Sequence, residues 1–206
     1  VEEVSVDHIA EVMIHDVMEG MGGTNIKAGV IKASTSLNRA SEGELKVMQA
    51  AAVAQRETGA PISTHAEVGT FALWQIEILT SLGVSPSKIL IGHLDRKLDL
   101  DYHLEIAQSG VFLGFDQIGK EKYASDDSRI ELILKLIDAG HRKQILLSGD
   151  QARKSNWPSY GVDYGPGLAY ILSEFVPRMV RRGINRKEIY DLMIGNPKRF
   201  LSFDVI

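Results

Sequence analysis

Four polar residues stand at or near the ends of short apolar runs: Lys32 in GVIKAS, His65 in ISTHAE, His93 in LIGHLDR and Asp150 in LLSGDQAR. Neutral imidazoles and a carboxylate suit Zn²⁺ or Mn²⁺. A free lysine ammonium has no lone pair and cannot ligate a metal. Once carbamylated by CO₂, a lysine becomes an anionic oxygen ligand able to bridge two cations, and two close cations can hold a hydroxide and polarise a carbonyl or phosphoryl oxygen together. Taken singly, each residue has a plainer reading. Lys32 can be a solvated or salt-bridged side chain, His65 and His93 can be structural, and Asp150 can cap a turn. Chemistry requires that the fold bring them together.

The elements that must do so alternate along the whole chain. Ser5 caps a predicted helix on which Ile9, Met13 and Val17 recur every fourth residue, with Gly22-Gly23 as its stop. Lys27 to Ala33 is a predicted strand. Ser41 and Glu44 form a capping box ahead of an Ala-rich helix ending near Gly59. Strands are then expected at Pro61 to His65, Lys88 to His93, Val111 to Asp116 and Gln144 to Asp150. Helices are expected at Phe71 to Leu82, Asp101 to Ser109, Ser125 to Gly140, about Gly167 to Arg182, and Asn185 to Ile194. Short strands apolar on both faces and separated by helices read as a buried parallel sheet. Five βα units could begin a doubly wound sheet or supply most of a closed barrel. A barrel gathers the C-terminal ends of its strands around one axis, where barrel active sites lie. Two His, an Asp and a Lys at strand ends therefore favour the barrel.

Composition narrows the classes. The chain has 206 residues, 44% hydrophobic and 24% charged, as in an ordinary globular protein. A net charge of -4 gives no basic field for nucleic acid. The absence of Cys excludes disulfides, thiolate metal sites and cysteine nucleophiles, and fits a cytoplasmic location. No apolar run approaches the roughly 20 residues of a membrane span, and Val1 to Asp7 resembles no signal peptide. The chain opens on Val1 rather than Met, and a fragment of a longer protein is expected.

In that order, AGVIKAS, PISTHAE, ILIGHLDR and LLSGDQAR resemble the ends of the fourth, fifth, sixth and eighth strands of the phosphotriesterase family, within the amidohydrolase superfamily. The tail IGNPKRF resembles the family's closing helix. The resemblance covers essentially the whole chain. It implies an α/β fold, a (β/α)₈ TIM barrel represented by roughly its last five βα units, with residues 1–206 as the C-terminal portion of a single metallohydrolase domain. It also implies two divalent metal ions, Zn or Mn, and a CO₂-derived carbamate on Lys32 as the bridging ligand. His65 and His93 would hold one metal, and Asp150 would bind the other and act as the proton-accepting base. The family's first-strand His-x-His pair has no counterpart here, because His8 and His15 lie seven apart on a predicted helix.

Substrate clues lie in the late loops, which carry Gly119-Lys120-Glu121-Lys122-Tyr123 and Gln151-Ala152-Arg153-Lys154-Ser155-Asn156. Such loops often bind phosphate in barrels. One branch of the family hydrolyses lactones of phosphorylated five-carbon sugars. Its pattern implies Lys122 and Arg153 as phosphate ligands, with Tyr123, Asn156 and Tyr160 beside the substrate. Asn156 stands where the branch has Tyr, and Tyr160 could substitute from nearby. The reaction implied is ring opening by a metal-bridged hydroxide. The alternatives are an acyl-homoserine lactonase, an organophosphate triesterase or a non-catalytic metal-binding scaffold. The expected partners are a small-molecule substrate, phosphorylated in the leading reading, and a second copy of the chain in a homodimer. Neither nucleic acid nor membrane is expected. Asp95 and Arg96 read as supports of His93, while His103, His141 and Trp74 read as structural. Trp157 reads either as pocket lining or as a pin for its loop.

Overall fold

The first helix, α1 (Val6–Met18), is capped by Ser5, whose hydroxyl accepts the His8 amide. The second, α2 (Glu42–Thr58), begins with the reciprocal Ser41–Glu44 capping box and ends at Gly59 in the left-handed region. These are the local signals the sequence carries, and the chain obeys them. In this computed structural model the described residues are 3–160 and 165–204.

Five strands follow with their helices: β1 (Ile31–Thr35), β2 (Ile62–Ala66), β3 (Ile89–Ile91), β4 (Phe112–Phe115) and β5 (Ile145–Leu147). Between and after them lie α3 (Ala72–Ser81), α4 (Leu100–Gln108), α5 (Asp126–Asp138), α6 (Val176–Arg181), α7 (Arg186–Tyr190) and α8 (Asn196–Leu201). All strand pairings are parallel, and the strand order is β1-β2-β3-β4-β5. A doubly wound sheet reverses its order at a switch point. This one never does, so right-handed crossovers place the helices on one face. The result is an arc of a (β/α)₈ barrel, with β1 and β5 as the edges of the described sheet.

Side chains alternate across this arc. In β1, Ile31, Ala33 and Thr35 are buried, while Lys32 and Ser34 face the open side. In β2, Ile62, Thr64 and Ala66 are buried, while Ser63 and His65 are less so. Register pairs Lys32 with Ser63 and Ser34 with His65, so His65 stands two residues nearer the C-terminal rim than Lys32. The core between sheet and helices contains Met48, Ile62, Leu79, Ile89, Ile106, Leu113 and Ile133, all fully buried.

Several boundaries differ from the sequence expectation. The first strand starts at Ile31 rather than Lys27, so Lys32 lies near the strand's beginning and not at its end. The first helix stops at Met18, ahead of Gly22-Gly23. Near the C-terminus, π-helical turns at Ile171–Phe175 and Asp191–Gly195 run directly into α6 and α8, so the last helix continues to Leu201. Asn196 anchors it: its side-chain amide donates to the Arg142 and Ile145 carbonyls at 2.8 and 2.6 Å. No helix among the described residues is long and apolar enough to cross a membrane.

Candidate metal centre and anion pocket

His93 follows β3 with φ 60°, a conformation that L-residues adopt at a cost of roughly 1–2 kcal/mol. Asp116, just past β4, holds it there. One carboxylate oxygen accepts the His93 backbone N–H at 2.9 Å, and the other accepts from Nδ1 at 2.7 Å. Gly92 makes this approach possible, since a Cβ there would lie 3.1 Å from the Asp116 carboxylate and 2.4 Å from the Thr64 carbonyl. A carboxylate only accepts, so Nδ1 carries the proton and Nε2 keeps its lone pair, the tautomer suited to a metal ligand. Burial alone would lower the His93 pKa, but the bond to Asp116 and the charges of Asp116 and Asp150 outweigh it and raise it.

The His65 ring meets the His93 ring edge-on, with centroids 4.4 Å apart. Its backbone carbonyl accepts from the buried Gln75 side chain on α3, which also bonds Thr35 at the end of β1. His65 Nε2 lies 2.8 Å from Glu67, and Glu67 accepts from Arg96 at 2.9 Å. The bond from His65 chiefly, with the Arg96 charge, holds the Glu67 carboxyl below its ordinary pKa. Arg96 in turn lies 4.5 Å over the Tyr123 ring, and the Lys122 ammonium lies 4.7 Å from the same ring centre.

Asp150 also has positive φ, 44°. Its carboxylate accepts from the Lys120 ammonium at 2.8 Å and from the Gln117 amide at 3.2 Å. Burial pushes its pKa up, but these bonds and the Lys120 charge prevail and leave it lowered. Lys32 donates to the Thr64 carbonyl at 3.1 Å. Surrounding protein lowers its pKa even though part of the side chain stays open to solvent, and Asp116 and Asp150 oppose the shift. A lowered pKa raises the fraction of neutral amine, the form that reacts with CO₂.

Donor types therefore fit a pair of divalent cations: two imidazoles, a carboxylate and an amine open to carbamylation. Among the described residues, no three His, Asp or Glu side chains alone form a metal-holding group. His65, His93 and Asp150 are already three such side chains, so in this structure they do not by themselves converge on one cation position.

Beside these residues opens a cavity of about 530 Å³, lined among others by His65, His93, Arg96, Lys120, Lys122, Tyr123, Asp150, Arg153 and Asn156. Four cationic side chains (Arg96, Lys120, Lys122 and Arg153) face two carboxylates, Glu67 and Asp150. Of the five residues expected at the substrate, Lys122, Tyr123, Arg153 and Asn156 line this cavity. Tyr160 does not; it is 51% exposed beside Lys154 and Trp157. Asn156 accepts the Arg153 amide at 3.1 Å. Trp157 donates to the Gln151 carbonyl and so pins its loop.

Other expectations are met or extended. His103 is fully buried against the Asp99 carbonyl, and Trp74 stacks on Phe71. Asp95 is fully buried and accepts from the Gln117 backbone N–H and Arg129; burial and the charge of Asp116 push its pKa up to about 6 against the pull of Arg129. Sequence reasoning missed Asp116, Glu67 and Gln117, and it gave Lys120 no individual role, although its side chain is only 9% exposed and pairs with Asp150. The strand-end rule that found His93 also reaches Asp116, at the end of VFLGFD.

The sequence profile of the phosphotriesterase family matches residues 2–201. The chain is 38% identical over 205 residues to an aryldialkylphosphatase of Saccharolobus solfataricus, covering 96% of this chain and 65% of that one. It is 35% identical over 215 residues to a phospho-furanose lactonase of Mycoplasmopsis synoviae, covering 98% of this chain and 61% of that one. A solved lactonase from Listeria monocytogenes superimposes with a TM-score of 0.94 at 40% identity, over 98% of this chain and 63% of the other. The chain thus spans a little under two thirds of the length of these relatives.

Proposed function

This chain belongs to the phosphotriesterase family, and from that premise we propose that it is the C-terminal portion of a single barrel domain of a cytoplasmic hydrolase that opens phosphorylated sugar lactones. The observation that carries this reading is the cavity itself, where cationic side chains in excess border the two adjoining imidazoles and Asp150. The name of the Mycoplasmopsis relative agrees with it. Apolar organophosphates or long acyl chains would find little apolar lining there.

Lys32 as its carbamate, His65, His93 and Asp150 would hold the metals. When bound, divalent metals supply Lewis acidity toward the carbonyl oxygen and acidify water. The chain's own groups do the rest. Asp150 accepts the proton of the attacking water at its carboxylate, which its lowered pKa keeps ionised, and returns it to the leaving alkoxide. Lys122 and Arg153 bind the remote phosphate, one as a point charge and one as a bidentate fork, which fixes the lactone carbonyl at the rim. Asp116 keeps His93 in its ligating tautomer.

Kinetics with matched phosphorylated and unphosphorylated lactones test the proposal in the complete protein. Lys122→Ala or Arg153→Ala should each reduce kcat/KM for the phosphorylated lactone by roughly 10- to 100-fold, the worth of one charge-assisted contact. The unphosphorylated compound should lose far less. Equal kcat/KM for the two lactones in the unaltered protein removes the phosphate anchor. Absence of bound metal in the complete protein favours a non-catalytic scaffold instead.

A further inference from the structure

We propose that Arg129, on α5 and outside the cavity, is the positioning residue that sets the shape of the 117–126 loop, and through it the selectivity for a phosphorylated substrate; this rests on the function proposed above. Arg129 is fully buried, as are its partners Asp95 and Asp126. Its Nε donates to Asp95 at 2.9 Å. One terminal nitrogen donates to Asp126 at 3.0 Å and to the Ala124 carbonyl at 2.6 Å, and the other reaches the Lys120 carbonyl at 3.4 Å. The two carboxylates it holds grip the same loop. Asp95 accepts the Gln117 backbone N–H at 2.9 Å, and Asp126 accepts the Gly119 backbone N–H at 3.0 Å and the Tyr170 hydroxyl at 2.8 Å.

One side chain thus fastens the loop directly at Lys120 and Ala124, and through its carboxylates at Gln117 and Gly119. That loop presents Gln117, Lys120, Lys122 and Tyr123 to the cavity. Stability alone does not explain the arrangement, because a buried ion cluster is often no more stable than apolar residues of the same volume. The distinguishing property is geometric. The planar fork of Arg satisfies several acceptors in fixed directions, and Lys cannot reproduce it. Asp95 lies two residues after His93, so the same guanidinium ties the anion-binding loop to the His93 turn.

The test uses the complete protein with Arg129→Lys and, as a milder variant that keeps the buried charges, Tyr170→Phe. Two quantities are read: hydrogen exchange of peptides spanning 117–124, and the ratio of kcat/KM for phosphorylated over unphosphorylated lactone. Arg129→Lys should speed exchange in this loop while leaving β1 and β2 protected. It should also lower the ratio by roughly 10- to 100-fold, chiefly through KM, as expected when a binding group is misplaced by about an ångström. Tyr170→Phe should shift both in the same direction by less. Unchanged loop exchange in both variants overturns the proposal, as does an equal loss on both lactones with exchange rising throughout the chain. If Arg129→Lys does not fold, Tyr170→Phe decides alone. If the unaltered protein shows no preference for phosphate, the function proposed above fails, and loop exchange still decides the role of Arg129.

Discussion

Asp116→Ala is the perturbation whose effect the structure specifies best. The carboxylate takes two bonds from His93, at 2.9 Å from its backbone and 2.7 Å from its ring, and its side chain is 17% exposed. Removing it leaves both His93 donors in a half-buried site without this acceptor, at about 1–3 kcal/mol each if unsatisfied, and takes one acceptor from the Gln117 side-chain amide, which keeps Asp150. Water entering the vacated volume recovers part of this, so the loss of stability should be about 2–4 kcal/mol. The backbone of His93 at φ 60° also loses the bond that holds it there. Loss of such a partner typically weakens metal affinity 10- to 100-fold. Asp116→Asn keeps one acceptor of the same shape and should fall between. Competition against a chromophoric chelator measures affinity, and urea unfolding measures stability. Unchanged metal affinity in Asp116→Ala, with stability within about 0.5 kcal/mol, would refute the role given to Asp116.

Other consequences follow from single contacts. Asn196→Ala strands a buried carbonyl at Ile145 and a part-buried one at Arg142, and should destabilise the protein by about 2–4 kcal/mol in urea unfolding, with little effect on metal affinity. Ser41→Ala removes the cap of α2 and should cost about 1 kcal/mol by the same assay. Burial lowers the pKa of His103, whose ring donates to the Asp99 carbonyl while its second nitrogen has no partner. The fold therefore favours neutral imidazole. Its stabilising contribution is complete above pH 6.5, the ordinary value, and is lost as pH falls through the depressed folded value. The stability gap between the unaltered protein and His103→Gln should narrow on acidification from pH 8 to 5; a constant gap contradicts this.

The sequence exposed the elements through residues with strong local physics: Ser5, Ser41 with Glu44, Gly59, and Ser125 ahead of α5. It also exposed the candidate ligands, because His65, His93 and Asp150 stand at or near the ends of apolar runs. Partnerships were harder to see. Asp116 meets His93 across 23 positions, and Arg129 meets Asp95 across 34, with nothing local to signal either pair. The left-handed conformations of His93 and Asp150 were also hidden, since neither is Gly and each is held by its site. The start of β1 was misplaced because GVIK is apolar enough to read as strand, yet the ladder with β2 begins only at Ile31. The π-helical turns leave no periodic mark of their own.

Lys32, His65, His93 and Asp150 are proposed to hold a pair of divalent cations between them. Anomalous diffraction at the Zn or Mn absorption edge, from crystals of the complete protein grown with metal and bicarbonate, tests it most directly. Two peaks are expected, with imidazole nitrogens of His65 and His93 about 2.0–2.1 Å from one of them and extra density on Lys32 Nζ. Peaks elsewhere, or an unmodified Lys32 turned away from both, would contradict it.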